Sequence, residues 1–294
     1  MVAIDKPEGL TSRRVVNEVS RSLRVKKAGH LGTLDPFATG VLIVLLGKAT
    51  RVAPFLQMEP KEYQATLKLG LETDTQDRTG KVVREVDEVC VSQEEVRAVL
   101  SKFKGAVVQT PPMFSALKHQ GVALYKLARR GQDVPRRERL VEIFEIEVEK
   151  IDLPFISFRV LCSGGTYIRT LASDVGRGLG CGAHLTALRR LRTGGFTIKD
   201  CLTLDQFKEL ARAGKVERAL IPINEALSHI RGVTVSRGAI SRVGRGQGIG
   251  PTDLMEPLSV NPGERLRLMS EEGHLLALAE AQKDGVIKPI RVLI

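Results

Sequence analysis

Cysteine pairs of the kind that hold metals or redox centres are missing from this 294-residue chain. Its four cysteines, at positions 90, 162, 181 and 201, include no C-x-x-C spacing, and the five histidines do not complete a zinc pattern with them. We therefore expect free thiols in a reducing compartment and no metal site.

Membrane and export signals are also missing. The longest apolar run, Val41 to Leu46, is far shorter than the roughly 20 residues that cross a bilayer. The amino terminus reaches the charged residues Asp5 and Lys6 too early for a signal peptide. These features favour a soluble, cytoplasmic protein.

Three common enzyme motifs do not occur: the Walker loop, the H-E-x-x-H zinc motif and the G-x-S-x-G nucleophile elbow. A glycine-rich run over 244–250 has the wrong spacing for a dinucleotide fingerprint and lacks its strand–helix frame. The sequence therefore gives no support to cofactor-dependent or serine-hydrolase chemistry.

Charge is the first positive signal. Lys plus Arg is 45 and Asp plus Glu is 34, which gives a formal net charge of +11. A field of this sign attracts polyanions, of which nucleic acid is the most obvious. Anionic membrane is the rival, but no basic amphipathic helix with aromatic anchors is visible. A basic surface that only keeps the protein soluble is the third interpretation.

Basic residues also stand in clusters with aromatics and glycines, as is typical of a track for phosphates. Few acids interrupt these clusters, which makes a merely solvated helix face the weaker interpretation. The clustered residues are Tyr125, Lys126, Arg129, Arg130, Arg136, Arg137, Arg139, Arg189, Arg190 and Arg192.

Hydrophobic periodicity predicts strands in runs with helices between them, without close βαβ alternation. We therefore expect an α+β fold with a mixed, mostly antiparallel sheet flanked by helices. Strands are predicted at 2–5, 41–46, 62–69, 107–109, 140–151, 155–162 and 185–192. Helices are predicted at 13–24, 48–56, 93–103, 121–130, 166–179 and 205–213, and an ordered loop at 28–40.

The pattern changes beyond about residue 225. Short strand-like runs at Arg265–Met269, Leu275–Ala279 and Pro289–Leu293 follow the glycine-rich run. We predict a catalytic domain over 1–229 and a small β-rich domain over 230–294.

Two segments are candidates for chemistry. Asp35 lies in the glycine-rich loop before a buried strand, a common platform for a catalytic carboxylate, although Asp-Pro is also ordinary turn chemistry. Gly164 and Gly165 suit a tight turn into a helix whose amino terminus can meet a phosphate. A capped helix with a surface Arg169 is the simpler interpretation of that second segment.

Six short segments stand in a characteristic order. They are Asp5-Lys6-Pro7-x-Gly9, Gly29-His30-x-Gly32-Thr33-Leu34-Asp35-Pro36-x-Ala38-Thr39-Gly40, Lys61-Glu62-Tyr63, Thr73-Asp74-Thr75-x-Asp77-x-x-Gly80, Pro111-Pro112-x-Phe114-Ser115-Ala116-Leu117-Lys118 and Gly165-Thr166-Tyr167-Ile168-Arg169. Together they resemble the TruB family of tRNA pseudouridine synthases, from near the first residue to about Leu191. The remaining tail resembles a PUA domain.

The resemblance implies a role for six residues. Asp35 is the catalytic aspartate, Tyr167 lies beneath the base with a part in proton removal at C5, and Arg169 pairs with the catalytic carboxylate. On the substrate-binding side, Tyr63 stacks on the target base, His30 lies against the flipped nucleotides, and Lys6 supports the active-site loop. The implied substrate is the uridine at position 55 in the T-loop of tRNA, and the isomerisation needs no cofactor.

Two positions depart from the family pattern: Leu31 where a small or hydroxyl residue is expected, and Phe114 where tyrosine is expected. Neither carries a proposed role. They put in doubt only the packing beside the loop and one hydrogen bond.

Two alternatives stay open. A guide-RNA-dependent synthase with protein partners shares the core and the PUA tail, but Ala38-Thr39-Gly40 and the lack of extended termini favour a stand-alone enzyme. A non-catalytic RNA-binding or tRNA-folding protein is disfavoured by the intact site residues. We expect a monomer that binds tRNA without a guide RNA, with the tail on the acceptor stem.

Overall fold

The computed structural model describes residues 1–56, 59–257 and 259–294. Across these ranges the chain forms eight α-helices and eighteen strands. The helices are α1 Ser12–Ser22, α2 Ala53–Leu56, α3 Gln93–Ser101, α4 Leu124–Ala128, α5 Ile168–Gly178, α6 Leu204–Arg212, α7 Ile223–Ala226 and α8 Arg237–Gly244. Short 3₁₀ helices lie at Gly47–Val52, Ile198–Asp200, Val216–Ala219 and Pro251–Asp253.

The first strands of the chain are β1 Val2–Lys6, β2 Ala28–Leu31, β3 Thr39–Leu46, β4 Lys61–Leu69, β5 Leu71–Thr73, β6 Val82–Glu85, β7 Gly105–Gln109, β8 Lys118–His119 and β9 Val122–Ala123. The later ones are β10 Arg139–Asp152, β11 Phe155–Cys162, β12 Ala183–Thr193, β13 Phe196–Thr197, β14 Leu202–Thr203, β15 Arg231–Thr234, β16 Arg265–Met269, β17 Leu275–Ala281 and β18 Ile287–Val292.

Ten of the described strands form one sheet in the order β14-β1-β3-β12-β4-β11-β10-β7, with β2 beside β3 and β13 beside β12. Only the β1–β14 and β12–β3 pairs in it are parallel. The predicted α+β fold with a mixed, mostly antiparallel sheet is therefore confirmed.

The inner face of this sheet carries the main core. Alternation in β4 buries Tyr63, Ala65, Leu67 and Leu69 and turns the residues between them outward. Helix α5 covers this face, with Leu171, Ala172 and Val175 in the same apolar cluster. No helix within the described ranges is long and apolar enough to cross a bilayer.

A second, four-stranded sheet in the order β15-β16-β17-β18 lies in the last part of the chain. It has an apolar cluster of its own around Leu266 and Leu268. Leu278 and Leu293 instead join Met1 and Ile43 in a cluster behind the large sheet. The two sheets are thus connected by shared apolar packing.

Several predicted elements differ from those observed. The loop expected at 28–40 begins as β2, whose four residues pair with Leu46 to Ile43 of β3. The helix expected at 121–130 is reduced to α4, because Val122 and Ala123 pair with Lys118 and His119 instead. Helix 48–56 is a 3₁₀ turn followed by α2.

Candidate active site

The loop that carries Asp35 is held by three side chains from separate elements. Lys6 Nζ, at the end of β1, donates to the carbonyl of Pro36 at 3.2 Å. Ser12 Oγ, at the start of α1, donates to the carbonyl of Leu34 at 2.9 Å and accepts from its N–H at 2.8 Å. With its buried polar backbone groups satisfied, the loop is a defined platform and not a free connection.

Arg190 is the third of these anchors. It is fully buried in β12, where its Nε donates to the carbonyl of Val41 at 2.7 Å and its Nη2 to that of Gly32 at 3.1 Å. It therefore holds both ends of the loop. Gly40 pairs with Arg190 across the β3–β12 ladder at φ +103°, and a Cβ at this position would lie 2.2 Å from the Arg190 carbonyl oxygen. Only glycine fits this approach.

Asp35 forms an ion pair with Arg169. Arg169 Nε lies 2.9 Å from Asp35 Oδ2, and Nη2 donates to Oδ1 at 3.2 Å. Only the second contact is an aligned hydrogen bond; the first is a close charge contact. Together they hold the carboxylate in one orientation on the guanidinium fork.

Arg169 itself is buried, with 3% of its surface exposed. Its Nη1 donates to the carbonyl of Thr75 at 2.8 Å and lies 3.4 Å from Asp77 Oδ2, and its Nη2 donates to the carbonyl of Phe114 at 2.8 Å. A buried guanidinium needs such compensation. The interpretation of Arg169 as a surface residue on a capped helix is therefore wrong.

Burial and charge act in opposite directions on Asp35. Burial raises the pKa of its carboxyl group above the usual value, and the charge of Asp77 raises it further, whereas Arg169 and Lys6 lower it. Burial is the largest of these effects, so Arg169 orients Asp35 without restoring an ordinary pKa. A perturbed carboxylate in a cleft is typical of a functional site.

A cavity of about 310 Å³ opens beside Asp35. Tyr63, on β4, lines this cavity, and so does Tyr167, which is the residue that precedes α5. Burial raises the pKa of the Tyr63 phenol. The volume is at the small end of the range for small-molecule sites, and two aromatic side chains beside one oriented carboxylate suit a flat, polar ring.

Four cations also line this cavity: Lys61, Arg139, Arg169 and Arg190. Burial lowers the pKa of Lys61 to about 8. This excess of positive charge around Asp35 suits an anionic ligand such as a phosphate-bearing nucleotide.

The structure brings Asp35, Tyr63, Tyr167 and Arg169 together, whereas Lys6 and His30 are absent from the described lining of the cavity. Lys6 lies behind the loop, where burial lowers its pKa to about 8. His30 is half-buried on β2, and burial together with the charges of Arg190 and Arg13 lowers its pKa.

Three residues of the predicted phosphate track have partners within the protein. Arg190 is buried in the site, Arg189 pairs with Asp5 at 2.7 Å, and Arg192 lies 3.3 Å from Glu62. The residues between 125 and 137 remain half-buried or exposed and stay candidates for phosphate contact.

The two departures from the family pattern leave the site intact. Leu31 is buried in the apolar cluster behind the large sheet, and Phe114 contributes its main-chain carbonyl to Arg169. Across the described ranges, no three His, Cys, Asp or Glu side chains come together as a metal-ion site.

Sequence reasoning gave no role in the active site to Ser12, Lys61, Asp77 or Gln109. Gln109 was predicted only as a strand residue, yet its side chain binds the main chain of Tyr167. Lys61 and Asp77 belong to segments with a family signal, and that signal could have selected them. Ser12 lies outside every such segment, and only the fold reveals its contact.

Comparisons with known proteins show the family of the chain. Residues 20–168 match the family described as TruB family pseudouridylate synthase (N terminal domain), and residues 169–228 match the tRNA pseudouridylate synthase B C-terminal domain. The chain is 48% identical to a tRNA pseudouridine synthase B of Geobacter sulfurreducens, covering 95% of this chain and 92% of the relative. It is 44% identical to one of Geotalea uraniireducens, covering 99% and 94%.

Solved structures show the same fold. A Cbf5-Nop10-Gar1 complex contains a chain with a TM-score of 0.76 and 29% identity, covering all of this chain and 84% of that one. An H/ACA RNP bound to a substrate RNA containing 2′-deoxyuridine matches at TM-score 0.75 and 26% identity, with coverage of 100% and 84%. With its fold, its oriented aspartate and its relatives in agreement, the chain belongs to the TruB family and is a pseudouridine synthase, an isomerase of uridine.

Proposed function

We propose that this enzyme converts the uridine at position 55 in the T-loop of tRNA into pseudouridine, acting alone through Asp35. The observation that carries the proposal is the Asp35–Arg169 ion pair at a cavity that also holds Tyr63 and Tyr167. Relatives up to 48% identical named tRNA pseudouridine synthase B support tRNA as the substrate.

The reaction breaks the bond between C1′ of the ribose and N1 of uracil and forms a bond between C1′ and C5. The C5 proton leaves and N1 gains a proton, so atoms and electrons balance without an external oxidant or cofactor. Asp35 supplies the carboxylate, which can attack the sugar, attack the base or take a ribose proton. Arg169 orients the Asp35 carboxylate in each case, and Tyr167 is the proposed group that takes part in removal of the C5 proton.

A base inside a folded T-loop cannot reach a cavity in the protein, so the nucleotide has to be flipped out of its stack at a cost of a few kcal/mol. Stacking of the flipped base on an aromatic ring such as that of Tyr63 stabilises it by roughly 1–3 kcal/mol per base. His30, on β2 beside the loop, is proposed to contact the flipped nucleotides, and Lys6 to support the loop from behind.

We further propose that residues 1–229 form the catalytic domain and that residues 230–294 form a PUA-like domain for the acceptor stem. The sheet β15–β18 and its own apolar cluster support this division. The exposed Arg245 suits a phosphate contact there.

The test uses the purified protein alone and a tRNA transcript with tritium at C5 of its uridines. We expect release of about one equivalent of tritium by the wild type, and no release with Asp35→Asn or from a transcript with cytidine at position 55. Asp74→Asn, on an exposed turn, is the matched control and should remain active.

Each other outcome contradicts part of the proposal. Tritium release by Asp35→Asn would show that the reaction does not require Asp35. Tritium release from the cytidine-55 transcript would show that position 55 of the T-loop is not the target. Binding of tRNA without release by the wild type favours a tRNA-folding protein. Release only after a guide RNA and partner proteins are added favours a guide-dependent enzyme.

A further inference from the structure

Tyr167 is held by two residues, Gln109 and Arg139, to which the proposed function gives no role. Gln109 of β7 and Arg139 of β10 face each other across the antiparallel ladder at the point where these two strands end and begin. Both side chains turn towards Tyr167. This pair is called the Gln109–Arg139 rung below.

Gln109 holds the backbone of Tyr167 at both polar groups. Its Oε1 accepts from the Tyr167 N–H at 2.9 Å, and its Nε2 donates to the Tyr167 carbonyl at 3.1 Å. Gln109 is 1% exposed, so these two bonds form away from water. Loss of the first leaves the Tyr167 N–H without its partner, whereas the Tyr167 carbonyl still accepts from the Leu171 N–H at 3.0 Å.

Arg139 holds the ring of the same tyrosine. Its guanidinium lies over the Tyr167 ring, 5.3 Å from the centroid, and its Nη1 donates to the carbonyl of Gly165 at 3.3 Å. Arg139 and Tyr167 both line the cavity, so this cation–π contact lies at the cavity wall.

The rung also joins the two ends of the basic segment 110–138. This segment contains six Lys or Arg residues and two Asp or Glu residues. Arg136 Nη1 donates to the Pro111 carbonyl at 3.2 Å and so ties the ends of the segment together beside the rung. Both ends of the segment therefore lie next to the two residues that contact Tyr167.

We propose that Gln109 and Arg139 are positioning residues that fix Tyr167 for the reaction and link its place to the seating of RNA on segment 110–138. The inference rests on the proposed function, in which Tyr167 acts at C5 of the target uracil. A displacement of about 1 Å in a reacting group can cost roughly 100-fold in rate.

The first measurement needs no substrate. The chain has three tyrosines and no tryptophan, so labelling with 3-fluorotyrosine gives three ¹⁹F signals, which substitution of each tyrosine assigns. Arg139→Gln and Gln109→Glu should shift or broaden the Tyr167 signal and leave the Tyr63 signal in place. Leu140→Thr, at the exposed neighbouring position of β10, is the matched control and should change none of them.

The second measurement is the single-turnover rate on tRNA as enzyme concentration is raised to saturation. We expect Arg139→Gln and Gln109→Glu to lower the saturated rate constant about 10-fold or more. Arg139→Lys keeps the charge and should recover only part of the loss. Arg137→Gln removes a charge from the exposed segment and should instead raise only the half-saturating concentration.

An unchanged Tyr167 signal in Arg139→Gln and Gln109→Glu overturns the inference. So does a wild-type saturated rate in these variants, or an effect confined to the half-saturating concentration, since Arg139 would then act as a phosphate contact. If Gln109→Glu does not fold, Arg139→Gln carries the test. A wild type without activity on tRNA contradicts the proposed function, while the ¹⁹F signals still decide whether the rung holds Tyr167.

Discussion

Arg169 lies between two carboxylates, with its Nε 2.9 Å from Asp35 Oδ2 and its Nη1 3.4 Å from Asp77 Oδ2. Asp77 is 3% exposed and its Oδ1 already accepts from Thr75 Oγ1 at 2.8 Å and from the Thr79 N–H at 2.9 Å. Asp77 is therefore rigid. Asp77 fixes the position of Arg169, and Arg169 in turn fixes the orientation of Asp35.

Asp77→Asn tests this transfer, because the amide keeps the shape of the side chain and turns an N–H group towards Arg169. We expect the single-turnover rate on tRNA to fall about 10-fold or more, since Arg169 loses one fixed partner. Asp74→Asn on the same turn is the control, because Asp74 is exposed and its oxygen bonds only to the Lys81 N–H among the hydrogen bonds described. Equal rates in both variants would contradict a positioning role for Asp77.

The pH dependence of the rate follows from the raised pKa of Asp35. In the proposed reaction the carboxylate of Asp35 is the reactive form, so activity should be lost as pH falls through this pKa, at a pH above the ordinary range of an aspartate. Because the charge of Asp77 contributes to the increase, the acidic limb should move to lower pH in Asp77→Asn. Rates measured under single-turnover conditions across the acidic range check both statements. A limb that does not move would show that Asp77 does not act on Asp35 by charge.

Ser12→Ala tests the support of the loop. Ser12 Oγ makes two buried hydrogen bonds to Leu34, and their loss should lower the free energy of unfolding by about 1–3 kcal/mol. The rate on tRNA should fall as well, because Leu34 precedes Asp35. Ser22→Ala is the control, since Ser22 Oγ makes an exposed bond to the carbonyl of Glu18. Denaturant unfolding and the tritium assay measure the two effects, and the prediction is wrong if both variants behave alike.

Gly40→Ala tests the close approach of β3 and β12. Its Cβ would meet the backbone of Arg190 at 2.2 Å, so we expect a loss of several kcal/mol or no folded protein. Gly47→Ala also places alanine at positive φ but meets no atom within 4 Å, and should cost only about 1 kcal/mol. Thermal unfolding of the two variants separates the clash from backbone strain. Equal midpoints would contradict the clash.

Sequence patterns predicted most of the large elements because their burial repeats regularly. Strand β4 alternates residue by residue, and α1 places Val15, Val16 and Val19 on one buried face. The expected loop at 28–40 was partly wrong because β2 consists of Ala28, Gly29, His30 and Leu31, whose pairing with β3 comes from tertiary contact and not from propensity.

The candidate site was predictable where local motifs carry it. Asp35, Tyr63, Tyr167 and Arg169 stand in such motifs and meet at one cavity. Arg190 was expected in the track for phosphates, because a sequence does not show that its guanidinium donates to the carbonyls of Val41 and Gly32. Contacts between elements far apart in the chain decide such roles, and composition cannot reveal them.

The apolar cluster behind the large sheet has a consequence for how this enzyme meets an RNA. Leu278 and Leu293 of the last part of the chain pack in it with Met1 and Ile43, so the small sheet is held against the large one by apolar contact. In the proposed function, this packing holds the small sheet at a set distance from the cavity, which favours RNAs whose acceptor stem and T-loop lie that far apart. Removal of residues 230–294 would also expose this apolar surface to water, and we expect the truncated protein to aggregate.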